Sequence, residues 1–326
     1  MFCMKILKET SAKPFIKWVG GKTQLLEEVK KSLPADLRAR EGITYVEPFV
    51  GGGAVLFWIL QEYPNIEKAV INDINAELIC TYRVIKNNVE TLISELERIQ
   101  SEYISLSTNA RKDYFMNKRS LFNSRNINDI EIAALFIFLN RTCFNGLYRV
   151  NSKGEFNVPH GKYANPRICD AETLRADSTL LQKVDILCDD FSETGKYASK
   201  NTVFYFDPPY KPITETVAFT SYAKDGFNDN EQLRLGRFIE DVSAAGAKFV
   251  ASNSFFYDFR QQHNYILYTP EGFCTSPNDE DVENFQVLGF ARGYSKQKAI
   301  FDFLKQNDWV IQYGYDPDEI IAKEII

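Results

Sequence analysis

The sequence has no C-x-x-C pair, only two histidines and no long apolar run. Its six cysteines (Cys3, Cys80, Cys143, Cys169, Cys188 and Cys274) are dispersed, which argues against a zinc site and points to reduced thiols in a cytoplasm. The longest unbroken apolar stretch, residues 132–139, is far below the roughly 18 residues of a membrane span. The opening MFCMKILKET lacks the apolar centre of a secretory signal. A cytoplasmic protein with no membrane contact and no bound metal is expected. Hydrophobic residues at 44% and charged residues at 25% exclude a disordered or collagen-like chain.

A basic surplus is also missing. The formal net charge is −6, which alone argues against a nucleic-acid partner, but the distribution of the charges removes that objection. Between Glu271 and Ile326 there are eleven acids and five bases, so the rest of the chain is neutral. Within that remainder Met1 to Lys31 carries seven lysines against three glutamates. Residues 141–167 carry Arg141, Arg149, Lys153, Lys162 and Arg167 against Glu155. Both stretches suit phosphates or plain solvated surface, and charge counts leave the choice open.

The 326 residues suggest about two domains at roughly 150 residues each. Ile43 to Phe49 reads as a strand ending in a glycine cluster, Val55 to Glu62 as a helix, and Ala69 to Ile71 as a second strand ending at Asn72-Asp73, a βαβ unit. Val184 to Leu187, Val203 to Phe206 and Phe249 to Ala251 read as further buried strands running into polar loops. Ligands of open α/β sheets bind at such carboxyl ends. Between these blocks, Glu77 to Gln100 and Ile130 to Asn140 have helical periodicity. Gly146 to Pro159 alternates apolar and polar residues around Asn151-Ser152-Lys153-Gly154, which predicts a β-hairpin. The organisation expected is 1–76 and 167–326 as two parts of a catalytic domain and 77–166 as a mostly helical insertion bearing the hairpin.

Glu47-Pro48-Phe49-Val50-Gly51-Gly52-Gly53 offers bare backbone to a nucleoside-bearing cofactor. A dinucleotide fingerprint needs a small residue at position 56, which is Leu56, so a cofactor without phosphates is favoured. Asp73 suits ribose hydroxyls, although a glycine turn with a capping aspartate gives the same letters. Asp207-Pro208-Pro209-Tyr210 is more specific. Two prolines remove donors, leaving a carboxylate and carbonyls as acceptors beside an aromatic face, a slot for a planar group bearing an amine.

These motifs, with Phe15-Ile16-Lys17-Trp18-Val19-Gly20-Gly21-Lys22, Asn72-Asp73-Ile74-Asn75, Asn145 to Arg149 and Gly154 to Pro159, occur in the order found in Dam-type (D12 class) DNA adenine-N6 methyltransferases. From about Lys13 to Ser254 the sequence resembles the GATC-modifying branch. The resemblance implies an α/β, class I methyltransferase (Rossmann-like) fold: a seven-stranded sheet flanked by helices, with an inserted DNA-recognition domain. It implies S-adenosyl-L-methionine as cofactor, held by Trp18, Gly20, Gly21, Lys22, Glu47, Phe49, Gly51, Gly53, Asp73, Asp190 and Phe191. Asp207, Pro208, Pro209 and Tyr210 are the implied catalytic residues, gripping a flipped adenine. Lys17, Phe144, Asn145, Leu147, Arg149 and Pro159 are the implied base-reading and wedge residues, with Arg141 and Lys162 on phosphates.

Double-stranded DNA is the expected partner of a monomer, with room for a cognate restriction endonuclease acting separately. The rivals are the same chemistry at another sequence, a catalytically silent DNA-binding relative, and methylation of an RNA base or protein amide. His160 stays open between a DNA contact and surface. Ala218-Phe219-Thr220-Ser221-Tyr222 and Gly226-Phe227 resemble the family's loop over the pocket. Beyond Ser254 the match fades into an acidic tail.

Overall fold

Five short strands rich in β-branched and aromatic residues form one parallel sheet in the order β3-β2-β1-β4-β5: β1 Ile43–Glu47, β2 Ile66–Asn72, β3 Val184–Leu187, β4 Thr202–Phe206 and β5 Lys248–Ala251. The structure, a computed structural model, describes residues 11–18, 22, 25–209, 227, 229–252, 263–269, 273–275, 281–283, 286–293, 296–312 and 315–325. Successive side chains point to opposite faces of a strand. Tyr45, Ala69, Ile71, Val203 and Tyr205 therefore enter one core, while Val46, Val70, Phe204 and Phe206 enter another. β4 is buried along its whole length, as expected of a parallel strand covered on both faces.

The helices supply the two covers. The first core is shared by α1 (Leu26–Ser32), α2 (Ala54–Glu62), α3 (Ala76–Ser105), α4 (Thr108–Ser124), α5 (Asp129–Thr142) and α6 (Ala171–Leu181), with α4 and α5 packed against α3. To the second, α7 (Asp229–Ala244) presents Leu235, Phe238, Ile239 and Val242, one helical stripe. Helix α5 is apolar almost all round and buried from Ala133 to Asn140. It begins at a capping box in which Asn128 and Glu131 satisfy each other's backbone N–H groups, closing a helix end that would otherwise leave donors orphaned. Helix α4 was not expected from the sequence. Only Phe115 and Phe122, two turns apart, are buried on it, too thin a stripe to stand out.

The chain divides into a unit of residues 1–253 and a unit of residues 254–326. In the second, β6 (His263–Thr269), β9 (Gln286–Gly293) and β10 (Ile321–Ile325) form an antiparallel sheet in the order β10-β6-β9. The strands β7 (Phe273–Thr275) and β8 (Asp281–Glu283) pair separately. The helix α8 (Lys296–Gln306) packs on the three-stranded sheet, and α9 (Trp309–Gln312) adds Val310 to that core. A Cβ at Gly289 would stand 2.6 Å from the Phe303 ring, so a bare backbone lets helix and strand approach. The parallel sheet thus has five described strands where seven were expected; the remaining described strands pair among themselves. No helix among the described residues is long and apolar enough to cross a membrane.

One buried side chain joins the strand ends. Asn72, at the end of β2, donates to the carbonyls of Pro48 (3.1 Å) and Asp189 (2.9 Å) and accepts the N–H of Asp189 (3.0 Å). Its own carbonyl accepts the N–H of Val50 (2.9 Å). The loops after β1, β2 and β3 are therefore fixed relative to one another. Asn72→Ala should destabilise the protein by about 1–2 kcal/mol, because the buried Pro48 carbonyl and two part-buried backbone groups of Asp189 lose their partner. Urea unfolding checks this; a loss under about 0.5 kcal/mol would show the staple to be dispensable.

Candidate active site

The glycine turn after β1 is shaped by two aromatic side chains. Gly51 and Gly53 have φ of 49° and 75°, a region that favours glycine. A Cβ at Gly51 would lie 2.8 Å from the Trp18 indole, one at Gly52 would lie 2.9 Å from the Trp18 Cβ, and one at Gly53 would lie 2.5 Å from the Tyr82 hydroxyl oxygen. Tyr82 also donates to the Gly51 carbonyl (3.0 Å). The run of glycines thus lets Trp18 and Tyr82 close on the turn from two sides. Asp73 completes it, accepting the N–H of Gly51 (3.1 Å) and of Asn75 (3.0 Å).

Acids gather at the same sheet edge. Glu47 ends β1, Asp73 follows β2 and Asp207 follows β4, and these three strands are neighbours. Glu47 is buried and accepts the Tyr45 hydroxyl (2.9 Å). Burial first, and the charges of Asp207 and Asp73 next, push its carboxyl well above the ordinary range. Burial also raises Asp73, against the N–H groups that bind it. Asp207 is pushed up to about 6 by burial, opposed by the buried Lys22, whose Nζ stands 2.8 Å from its Oδ1. Apart from that ion pair, Oδ1 is buried with no hydrogen-bond partner among the described residues. Carboxyls held in that state favour a cationic or amine-bearing ligand and disfavour phosphate. Among the described residues no group of acids, histidines or cysteines has the arrangement of a metal site.

Phe49, also after β1, meets Phe191 (5.3 Å between centroids) and Phe227 (5.8 Å). Phe191 is buried and carries the Arg234 guanidinium 4.3 Å above its ring. Asp190 is bound by both terminal nitrogens of Arg234 (2.8 and 2.6 Å) and by the N–H of Ser192, which hold its carboxyl down to about 2. Asp190 is therefore a fixed anion already committed to an arginine. Of the expected catalytic residues, Asp207 and the buried Pro208 lie at this edge with Pro209 exposed beside them; Tyr210 lies outside the described residues, as do Gly20, Gly21, Ser254 and residues 218–222.

The expected hairpin is a ribbon with two isolated antiparallel bridges, Cys143 to His160 and Val150 to Phe156, rather than two regular strands. Its turn falls where expected: Gly154, at φ 78°, donates to the Asn151 carbonyl (2.9 Å), and Asn151 Oδ1 accepts from Lys153 and Glu155. Tyr148, Phe156 and Val158 are buried, which ties one side of the ribbon to the core and shortens its regular pairing. A second turn, Phe144 to Leu147, has Asn145 and Gly146 both at positive φ (55° and 64°) and the Leu147 N–H on the Phe144 carbonyl (3.3 Å), the type I′ geometry that Asn-Gly favours. It displays Phe144, 51% exposed, and Asn145, while Leu147 is half-buried. Arg149 donates Nε–H to Asn157 (2.8 Å), and its terminal amino groups have no partner among the described residues. Lys17, Pro159 and Lys162 are exposed.

Two sequence expectations change here. Arg141, expected on phosphates, turns inward and donates to the Phe15 carbonyl (2.7 Å), and burial lowers its pKa. His160 is half-buried: its Nε2 pairs with the Tyr103 hydroxyl (2.7 Å), its ring lies 5.2 Å from Phe115, and burial lowers its pKa. Two residues of consequence, Tyr82 and Asn140, went unnoticed in the sequence, the latter buried between Lys17 and Gly146. A lone polar residue inside the apolar run of α5 was the available signal for Asn140.

Residues 18–277 match the family model described as D12 class N6 adenine-specific DNA methyltransferase. A second model, described only as a domain, matches residues 262–325. The chain is similar to the type II methyltransferase M.MjaIII of Methanocaldococcus jannaschii, 49% identical over 250 residues, 76% of this chain and 86% of that one. It is 36% identical over 230 residues to a DNA adenine methylase of Haemophilus influenzae, 71% of this chain and 75% of that one. It is 35% identical over 277 residues to the DNA N-6-adenine-methyltransferase of Escherichia phage P1, 83% of this chain and 34% of that one.

The Asp207 carboxyl should titrate with a midpoint of about 6, readable by carbon NMR of the labelled side chain. Below that pH the Lys22 ion pair is lost; above it the pair holds. Lys22→Met removes the cation that lowers the midpoint and should move it upward. An ordinary midpoint near about 4 would refute the buried pair.

Proposed function

The chain belongs to the D12 class of N6 adenine-specific DNA methyltransferases, and we propose that it methylates adenine within GATC in double-stranded DNA, using S-adenosyl-L-methionine. The observation that carries this is the acidic edge at Glu47, Asp73 and Asp207, three carboxyls raised by burial, with Asp207 held by the buried Lys22 ammonium. The donor set fits that cofactor. Its sulfonium and ammonium are cations, which raised carboxyls favour, and it has no phosphate for them to repel. Trp18, Phe49, Gly51, Gly53 and Asp73 would hold it, with Glu47 and Lys22 beneath; when bound, it supplies an electrophilic methyl group.

The chain's own part is positioning and electrostatics. Asp207 and the Pro208 carbonyl accept hydrogens from the exocyclic amine of an extruded adenine, directing its lone pair away from the ring. As positive charge grows on that nitrogen, the Asp207 carboxylate stabilises it, and Lys22 keeps the carboxylate ionised and in place. Tyr210 is proposed to stack on the base. Asp190 and Phe191, set by Arg234, bound the adenine side of the cofactor.

We assign base reading to residues 77–166 as a target-recognition insertion. Exposure of Phe144 and Asn145 on a tight turn supports a wedge into the gap left by base flipping. Arg149, locked at Nε with both amino groups presented, suits the O6 and N7 of guanine. Lys17 and Pro159 share that exposed region, and Lys162 is left to touch phosphate where Arg141 is not. A separate restriction endonuclease is compatible with a type II relative.

Asp207→Ala should abolish methyl transfer while cofactor binding by calorimetry persists; full activity would remove Asp207 from the chemistry. Sequencing of modified bases in DNA from expressing cells should report N6-methyladenine in GATC. Arg149→Ala should cost about 1–3 kcal/mol of discrimination at one guanine, measured as the ratio of kcat/KM on matched and substituted duplexes; an unchanged ratio overturns the ribbon's role.

A further inference from the structure

Residues 13–18 form no regular secondary structure, so their backbone groups need side-chain partners. The N–H of Lys13 binds Asp177 Oδ1 (3.0 Å), and the carbonyl of Phe15 binds Arg141 (2.7 Å). Both backbone groups of Lys17 go to one residue. Asn140 Oδ1 accepts its N–H and Asn140 Nδ2 donates to its carbonyl, each at 2.8 Å. The other hydrogen of the same amide reaches the Gly146 carbonyl, also at 2.8 Å. A single buried amide, 3% exposed, therefore bonds at once to the segment carrying Lys17 and Trp18 and to the turn displaying Phe144 and Asn145.

The contact is close on both sides. A Cβ at Gly146 would stand 2.5 Å from Lys17 Cδ, so that turn seats directly on the Lys17 side chain. One residue on, Trp18 covers Gly51 and Gly52 and stacks on Tyr148 at 5.7 Å. No other side chain of this size replaces the amide. Aspartate has no donors and would set a charge against two carbonyls, and leucine would leave three backbone groups unsatisfied.

We propose that Asn140 is a positioning residue that couples the recognition turn to the cofactor turn through residues 17 and 18, so that correct DNA at the tip and bound cofactor at Trp18 strengthen each other. This rests on the assignment of the Phe144 to Leu147 turn to DNA. Such coupling is reciprocal: DNA that settles the turn tightens cofactor binding, and cofactor tightens discrimination between sites.

The test is a binding cycle with the full-length protein and the unreactive product S-adenosylhomocysteine as probe. Its affinity is measured by calorimetry alone, with a duplex holding the methylated motif identified by sequencing, and with duplexes changed at one base of that motif. In the unaltered protein the matched duplex should tighten the probe about tenfold, and a changed duplex less. Asn140→Ser should reduce that gain to under about twofold while the melting transition stays cooperative. Gly146→Ala keeps the amide but pushes Lys17 aside and should also erode the gain; it decides the matter if Asn140→Ser does not fold. An undiminished gain in both variants overturns the coupling. Equal tightening by matched and changed duplexes in the unaltered protein, with Arg149→Ala leaving discrimination intact, would instead overturn the assignment of the turn to DNA and the coupling with it.

Discussion

Carboxylates gathered at one edge of a parallel sheet repel each other and lose water as they are buried, and this is the constraint under which the rest of the catalytic unit is arranged. Strand order alone places Glu47, Asp73 and Asp207 at three neighbouring strand ends. Each is supported differently: Glu47 by a tyrosine hydroxyl, Asp73 by backbone N–H groups of the glycine turn, Asp207 by a buried ammonium. The supports explain why Tyr45, the glycines and Lys22 occur where they do. They are incomplete, since burial still raises all three carboxyls, and an edge left under-compensated is one that gains from receiving a cation and an amine.

Stiffness of the ribbon has a similar origin. The ribbon from Cys143 to His160 has little regular pairing, yet its polar groups are tied to α3 and α4: Asn123 binds both backbone groups of Phe156, Arg119 reaches the Val158 carbonyl, and His160 pairs with Tyr103. Trp18, Phe136, Tyr148 and Phe156 continue as a chain of ring contacts from the glycine turn into the ribbon. Groups held on such a base, the base-reading residues proposed above among them, lose less freedom on binding than they would on a free loop.

The five parallel strands were legible because each is a short apolar run that ends in polar or turn residues, and the turn at Asn151 to Gly154 followed from its letters. Local patterns of this kind are written within about ten residues. What was not legible depends on partners distant in sequence. Asp190 meets Arg234, His160 meets Tyr103 and Arg141 meets Phe15, and no periodicity links such pairs. Asn72 stood inside a motif, but its role as a staple between three loops exists only once β1, β2 and β3 are adjacent. The glycine run suggested room for a ligand; Trp18 and Tyr82 use that room first.

Net charge proved a poor guide for a physical reason. At −6 the whole chain offers DNA no long-range attraction, but exposed charges act over only about 8 Å at physiological ionic strength. The acidic surplus belongs to residues 271–326, most of the unit with its own small core, while residues 1–270 are neutral. Within that neutral part Lys17, Lys153 and Lys162 are exposed, and Arg141, which a count would add to them, is withdrawn to hold Phe15. On the function proposed above, association with DNA is decided by where a few cations stand relative to the Phe144 to Leu147 turn, and the buried residues that fix that turn bear on specificity more than the charge total does.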